Sequence, residues 1–360
     1  MQRKTLGNIL SIFILLASFT MQAETVSSGE DSGDLKSEIK AYISHHLLDS
    51  YDFGLYSYTN DQGGHEYVGF PLPVILWDDG LKVFSSSKLH HDEGVAEVGG
   101  NLYRSYHGKI YNVTSTGGEL KMDDHHHPEN RVHLDFSITK NVFTIFLVSL
   151  LILFVFSRMA KSYKNSAMPK GVGRGLEPII QYIRDDIAIP NIGIKKYKRY
   201  MPYLLTVFFF IWIINLLGLT PLGINVTNNI AVTLALALLT YLFTTFTANK
   251  NYWGHIFWMP GVPPLMRIVL APIELLGTII KPFSLMIRLY ANITAGHIVL
   301  MSIIGLMFIF KNWLGSSLSF FLAFALSLLE LLVAALQAYI FTMLSALYFG
   351  SAVEEHHDDH

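Results

Sequence analysis

Long apolar runs, each closed by a basic or turn-forming stretch, fill the chain from about Asn141 to Ser351, whereas the earlier residues mix apolar and polar positions at short range. The runs Asn141–Phe156, Tyr200–Leu219 and Ile230–Ala248 approach the roughly 20 residues that cross a bilayer, and each predicts a membrane helix. From about Leu265 to Phe310 the run is too long for one upright helix and carries Glu274, Lys281, Pro282 and Arg288. A long, tilted or kinked helix, buried in protein on one side, accounts for both features. Lys311–Gly315 then turns the chain, and Ser317–Phe349 predicts a last long helix. Leu176, Ile179, Ile180, Ile183 and Ile187 form a stripe opposite Arg184, Asp185 and Asp186. That pattern belongs to a helix lying along a membrane surface, not crossing it. Pro221–Asn229 reads as a turn, and Tyr252–Pro264, rich in tryptophan and proline, as an interfacial connection.

Before Arg131 the pattern changes. Leu35, Ile39, Tyr42, Ile43, His46 and Leu47 recur at helical spacing and predict one amphipathic helix. Pro73–Trp77 and Leu81–Phe84 flank Asp79-Gly80, residues able to take the positive φ of a tight turn, which predicts a hairpin. Further strands are expected at Asn101–Tyr106 and Lys109–Val113. The fold class is an all-α polytopic membrane protein with five membrane helices and one amphipathic surface helix, the last two helices long and tilted. A small mixed, mostly β N-terminal domain precedes it.

Composition agrees: 51% of residues are hydrophobic and 15% charged, and the mean hydropathy is +0.37, against about 25% charged in an average soluble domain. A net charge of -2 leaves no basic face for a nucleic-acid partner. With no cysteine, the chain cannot rely on disulfides. Arg3 and Lys4, an apolar core from about Ile9 to Leu16, and Ser18–Ala23 read as a secretory signal with its cleavage point after Ala23; Met21, larger than the preferred small residue, leaves an uncleaved anchor as the alternative. The next residues are then extracytoplasmic. Arg158, Lys161, Lys164, Lys170 and Arg174, after the first membrane helix, face the cytoplasm by the positive-inside rule, as does the C-terminus. The expected division is 1–23 signal, 24–137 extracytoplasmic domain, 138–351 membrane domain and 352–360 polar tail.

The chemistry concentrates at Arg288. A charge at membrane depth costs roughly 2.5 to 3.5 kcal/mol on insertion scales and marks ion pathways. Arginine also keeps its proton at physiological pH. At 100° per residue Glu274, Gly277, Lys281, Ser284, Arg288, Asn292 and Ala295 share one sector, and His297 lies about half a turn from Arg288. In the last helix Glu330, Ala334, Gln337, Phe341 and Ser345 line up likewise. Glu330 has no basic residue within a turn on either side, so its partner must come from another helix; His297 is the nearest candidate. The histidine clusters at His45-His46, His90-His91, His125–His127 and His356–His360 lack the chelating partners and spacing of a structural zinc site and read as solvated side chains.

Pro272-Ile-Glu274, Lys281-Pro-Phe-Ser284, Arg288-Leu-Tyr-Ala-Asn292-Ile-Thr-Ala-Gly-His297 and Leu336-Gln337-Ala-Tyr-Ile-Phe341 resemble segments of subunit a of the F-type ATP synthase, over about Asn141 to Ser351. The resemblance implies a bacterial inner-membrane subunit with no cofactor. It implies as partners a ring of c subunits, b-type stator subunits and the remaining subunits of the synthase. It makes Arg288 the essential arginine, Asn292 and Gln337 polar channel residues, and His297 with Glu330 an acid–imidazole relay. In many bacterial members that acid and imidazole occupy exchanged positions, and the order here matches mitochondrial members. Protons would pass from outside to a ring carboxylate near Glu330, His297 and Asn292, and leave along a second half-channel lined by Glu274. The chain itself would catalyse no bond change. The alternative reading is a secondary transporter whose Arg288 holds an anion. Such folds often carry internal repeats, and none is evident. The resemblance says nothing of residues 24–137.

Overall fold

The structure is a computed structural model and describes residues 48–59, 65–92, 94–113, 119–122, 128–132, 134–165, 171–220, 224–258, 263–309 and 313–354. The expected signal, the helix over Leu35–Leu47 and the clusters His45-His46, His125–His127 and His356–His360 lie outside the described residues, as do the side chains of His90-His91. The chain divides into two compact units, one reaching to Phe146 and including Leu217–Asn225 and Met301–Phe320, the other holding Leu147–Leu216, Val226–Leu300 and the residues from Phe321.

In the first unit eight strands form three antiparallel sheets: β1 (Asp52–Thr59) with β2 (His65–Pro71); β3 (Pro73–Trp77) between β4 (Leu81–Ser85) and β8 (Leu134–Asp135); and β6 (Asn101–Tyr106) between β5 (Val95–Val98) and β7 (Lys109–Val113). The β3–β4 hairpin turns as expected on Asp79 and Gly80, with φ of 48° and 119°. Leu76 pairs with Lys82 and Val74 with Phe84, so alternate side chains of both strands point the same way. Val74, Leu76 and Phe84 join Tyr51, Leu89, Tyr103, Ile110 and Val132 in the core. Asp78 sits at its edge, its carboxylate accepting from the Tyr103 hydroxyl at 2.8 Å and from the amides of Asn112 and Asn101 at 3.2 and 3.3 Å.

Helix α1 (Lys140–Asn165) starts inside this unit. Thr139 caps it by accepting the Val142 N–H at 3.4 Å. The Asn141 N–H donates to Asp49 Oδ1 at 3.1 Å, the Lys140 N–H to the Ser50 carbonyl at 2.9 Å, and Phe143 meets Phe53 and Phe70 edge-on with centroids 5.4 Å away. The domain thus grips the first turn of α1. The helix runs nine residues past the expected Phe156 and so carries Arg158 and Lys161 itself.

The second unit carries α2 (Val172–Tyr182), α3 (Ile189–Ile192), α4 (Tyr197–Gly218), α5 (Ile230–Thr247), α6 (Lys250–Phe257), α7 (Pro264–Ile309) and α8 (Trp313–Val353), of which α4, α7 and α8 run on into residues of the first. Among the described residues five helices are long and apolar enough to cross a membrane: α1, α4, α5, α7 and α8. At 46 and 41 residues, α7 and α8 are about twice the length of an upright crossing. The amphipathic stripe packs inward: Ile183 and Ile187 are fully covered in a core with Tyr200, Leu204, Phe341 and Phe349, and Leu176, Ile179 and Ile180 are partly covered against it. Between α2 and α3 the helix widens to π geometry over Ile183–Ala188. Pro190 follows, and its missing N–H cannot donate back to Asp186, which favours the irregular turn. The connection Tyr252–Pro264 overlaps the short helix α6, an element the Trp- and Pro-rich composition had not announced.

Burial raises the Asp49 carboxyl above the usual carboxylate range, partly offset by hydrogen bonds from Asn141 and Thr139 and by the Lys140 charge. The folded domain therefore holds this proton more tightly than the unfolded chain. The stabilisation Asp49 lends is full below its unfolded pKa and declines as pH rises through the raised folded value. Asp49→Asn is expected to remove that pH dependence while keeping the acceptor for Asn141. Asp49→Ala is expected to lose about 1 kcal/mol at the junction, read as faster amide exchange over residues 140–143.

Candidate functional site

Helices α7 and α8 run antiparallel, and their polar side chains meet level by level. His297 Nδ1 stands 3.4 Å from Glu330 Oε1, with side chains 8% and 11% exposed. Five residues back along α7, the Asn292 amide donates to Gln337 Oε1 at 3.0 Å. Eleven residues further back the Lys281 ammonium lies 5.6 Å from the centre of the Tyr348 ring, eleven residues on from Gln337. At 1.5 Å per residue this ladder covers about 24 Å along α7. Polar side chains on two lipid-length helices must find partners on one another, because acyl chains offer none.

His297 faces Glu330, as expected, and Asn292 and Gln337, between which no contact was expected, are joined. Arg288 lies between the rungs, half-buried, within electrostatic reach of Tyr348. Among the described residues no carboxylate pairs with it. Its flank is open, with Ser284, Ile287, Ala291, Asn292 and Ala295 all exposed. Glu274 is fourteen residues from Arg288, about 21 Å along the helix on the side away from His297. It is half-buried, and its backbone carbonyl accepts from Thr278 at 3.0 Å.

Gly296 admits Glu330. A Cβ built there would come 2.7 Å from Glu330 Oε1, whereas Gly277 has nothing within 4 Å. Only the bare backbone allows the carboxylate its place beside His297. The other oxygen, Glu330 Oε2, is buried and has no partner among the described residues.

Sequence reasoning missed a second layer. Thr294 donates to Asn228, and Thr227 donates to Asn215 at 3.1 Å, which ties the start of α5 and its preceding turn to α7 and α4. On the other side of Arg288 a small cleft opens between α5, α6, α7 and α8, lined by Thr240, Tyr241, Thr244, Tyr252, Lys281 and Tyr348 among others. Thr233, Thr240 and Thr244, at spacings of seven and four, were the readable sign of a polar face on α5.

A membrane-embedded helical protein with ionisable and amide side chains gathered on two spanning helices is, by class, an ion-translocating subunit. The ATP synthase A chain family profile matches residues 142–350, and the chain belongs to that family, the proton-translocating a subunit of F-type ATP synthases. Residues 42–136 match a second profile, a Domain of unknown function (DUF8433). The chain is similar to ATP synthase subunit a of Chloroherpeton thalassium, 42% identical over 63% of this chain and 69% of the relative. It is 37% identical to ATP synthase subunit a 2 of Prosthecochloris aestuarii over 80% of this chain and 92% of that one. With subunit a of Myxococcus xanthus the identity is 42% over 63% and 77%. The chain is thus a multi-pass membrane component of the ATP synthase complex.

If Gly296 exists to seat Glu330, Gly296→Ala should lower proton flux per assembled complex by about tenfold, the scale of one displaced buried polar contact. Gly277→Ala, in open space, should leave flux near wild type. Flux measured in reconstituted vesicles against complex content separates the two.

Proposed function

We propose that this chain moves protons between two half-channels that meet at Arg288 and drives a ring of c subunits past it. The observation that carries the reading is the Arg288 guanidinium, half-buried on a spanning helix, with no carboxylate of the described chain beside it. Its counter-charge must then come from another molecule, and its exposed flank of small residues lets one approach closely.

Protons come from outside by way of Glu330, His297 and Asn292. The acid and imidazole, 3.4 Å apart, can pass a proton between them. Gln337 fixes the amide of Asn292 by accepting its hydrogen bond. From here the proton goes to a ring carboxylate, which travels nearly a full turn and releases it into a second half-channel. Glu274 belongs to that cytoplasmic path, and the cleft at Thr244, Tyr252 and Lys281 lies on the same side of Arg288. Arg288 favours the ionised ring carboxylate as it passes and blocks a direct leak. Each proton crossing 100 mV supplies roughly 2.3 kcal/mol, which rotation carries to the catalytic head.

The chain makes and breaks no covalent bond in this scheme. Its direct partners are the c-ring, b-type stator subunits and lipid, with the other synthase subunits beyond. It sits in a bacterial inner membrane. The β-rich region, within 24–137, is extracytoplasmic behind a 1–23 signal; 138–351 is the channel domain, and the tail 352–360 is cytoplasmic. The basic residues Arg158 and Lys161 at the far end of α1 support this orientation.

Arg288→Ala should abolish coupled proton transport and ATP synthesis while the complex still assembles; fully coupled synthesis by this variant would remove the central claim. For the relay, the exchange His297→Glu with Glu330→His should restore more transport than either single change to alanine. Equal loss in all three, with assembly intact, would reduce the two residues to independent packing sites. Proton pumping in inverted membrane vesicles reads both.

A further inference from the structure

One surface of the first unit takes no part in this scheme. On the side of the β4-β3-β8 sheet that faces away from the core, side chains form two rows across three strands. Trp77 lies between Leu81 on β4 and Leu134 on β8, by direct pairing. In the next row Ile75 pairs with Val83, and the Phe136 N–H donates to the Ile75 carbonyl at 2.9 Å. Trp77, Leu81, Val83, Leu134 and Phe136 are each more than half exposed, at 55%, 61%, 57%, 51% and 62%. The third row adds Pro73 and Ser85, so none of the outward positions on these strands is charged.

An uncharged apolar face of this kind on a protein surface marks an interaction site. We propose that it rests on the outer surface of the lipid bilayer, with Trp77, Val83 and Phe136 seated among head groups and the upper acyl chains. Covalent geometry gives the reason. Phe136 is four residues from Lys140, the first residue of the membrane-crossing helix α1, so the two cannot be more than about 14 Å apart. Hydrogen bonds from Ile138 to Pro73 at 3.1 Å and from Lys140 to Ser50 at 2.9 Å hold that linker against the sheet. The apolar face is therefore tethered close to the start of the membrane-crossing helix. Tryptophan and phenylalanine beside aliphatic residues suit the interfacial zone, where an amphipathic ring is at home. The proposal depends on α1 crossing the bilayer and not on the roles given to Arg288, His297 or Glu330.

The test places a photoactivatable phenylalanine analogue at Val83 and at Leu134, one at a time, in the assembled complex in its own membrane. Phe146 serves as a lipid-exposed reference and Glu97, exposed on β5, as a solvent reference. The expected result is phospholipid adducts at Val83 and Leu134 with yields within about twofold of that at Phe146, and none at Glu97. Adducts to another polypeptide, or to other residues of this chain, would mean that protein covers the face and would overturn the proposal. Absence of any adduct at both positions, with Phe146 still labelled by lipid, would overturn it as well, because the face would then be in water. Both substituted side chains are exposed, so neither change disturbs the core, and the yield at Phe146 is independent of either.

Discussion

A guanidinium cannot lose its proton to escape an apolar setting, and this constraint organises the membrane half of the chain. Arg288 is half-buried and has no carboxylate of the described chain to neutralise it. Holding such a charge at depth costs roughly 2.5 to 3.5 kcal/mol, while a carboxylate at 4 Å returns about 4 kcal/mol at an effective dielectric constant near 20. A passing counter-charge can therefore roughly repay the cost without binding irreversibly. A permanent partner on α8 would cancel the charge and leave none for a group of another molecule.

Glu330 is the opposite case. This acid lies on the facing helix of the same pair, yet its own chain provides His297 at 3.4 Å, and Gly296 leaves the gap that the carboxylate fills. One ionisable group thus has a partner on its own chain and the other is left open to a neighbour, although only about two and a half turns of α7 lie between Arg288 and His297. The Asn292–Gln337 hydrogen bond separates them. Two amides can each donate and accept, so this rung is polar without carrying a charge that would compete with Arg288.

The parts of this arrangement that were legible in the sequence were those fixed by periodicity and by scarcity. Apolar runs located five spanning helices, and the Asp79-Gly80 turn located a hairpin, because each depends on local residue chemistry. His297 and Glu330 could be paired in advance since an isolated acid in an apolar helix has few places to find a partner. The β1–β2 hairpin and β5 gave no such sign: β1 and β2 lack the clean alternation of a half-buried strand, and β5 is only four residues long. The π segment at Ile183–Ala188 was equally hidden, because the stripe Leu176 to Ile187 reads as a regular helix and only the packing around Asn191 and Gly350 exposes the wider turn. Contacts such as Thr294 to Asn228 join a helix to a turn, where no repeat in the sequence predicts register. Gly296 looked like any small residue until the carboxylate of Glu330 was found occupying the space above it.

The remaining oxygen of Glu330 bears on direction. Oε1 faces His297, while Oε2 is buried with no partner among the described residues. A buried acceptor left unpaired costs roughly 1 to 3 kcal/mol, so a carboxylate serving only to pack two helices would be expected to have both oxygens engaged. A group that hands a proton on needs one side fixed and the other available: the fixed side sets geometry, and the free side accepts the next donor. His297 supplies the fixed side, and Gly296 prevents the acid from being pushed out of line. In the relay proposed above, the unpaired oxygen is the one open to an incoming proton. Along α7 the Asn292–Gln337 rung lies between this pair and Arg288, so the proposed relay and the fixed charge are held apart by an uncharged step.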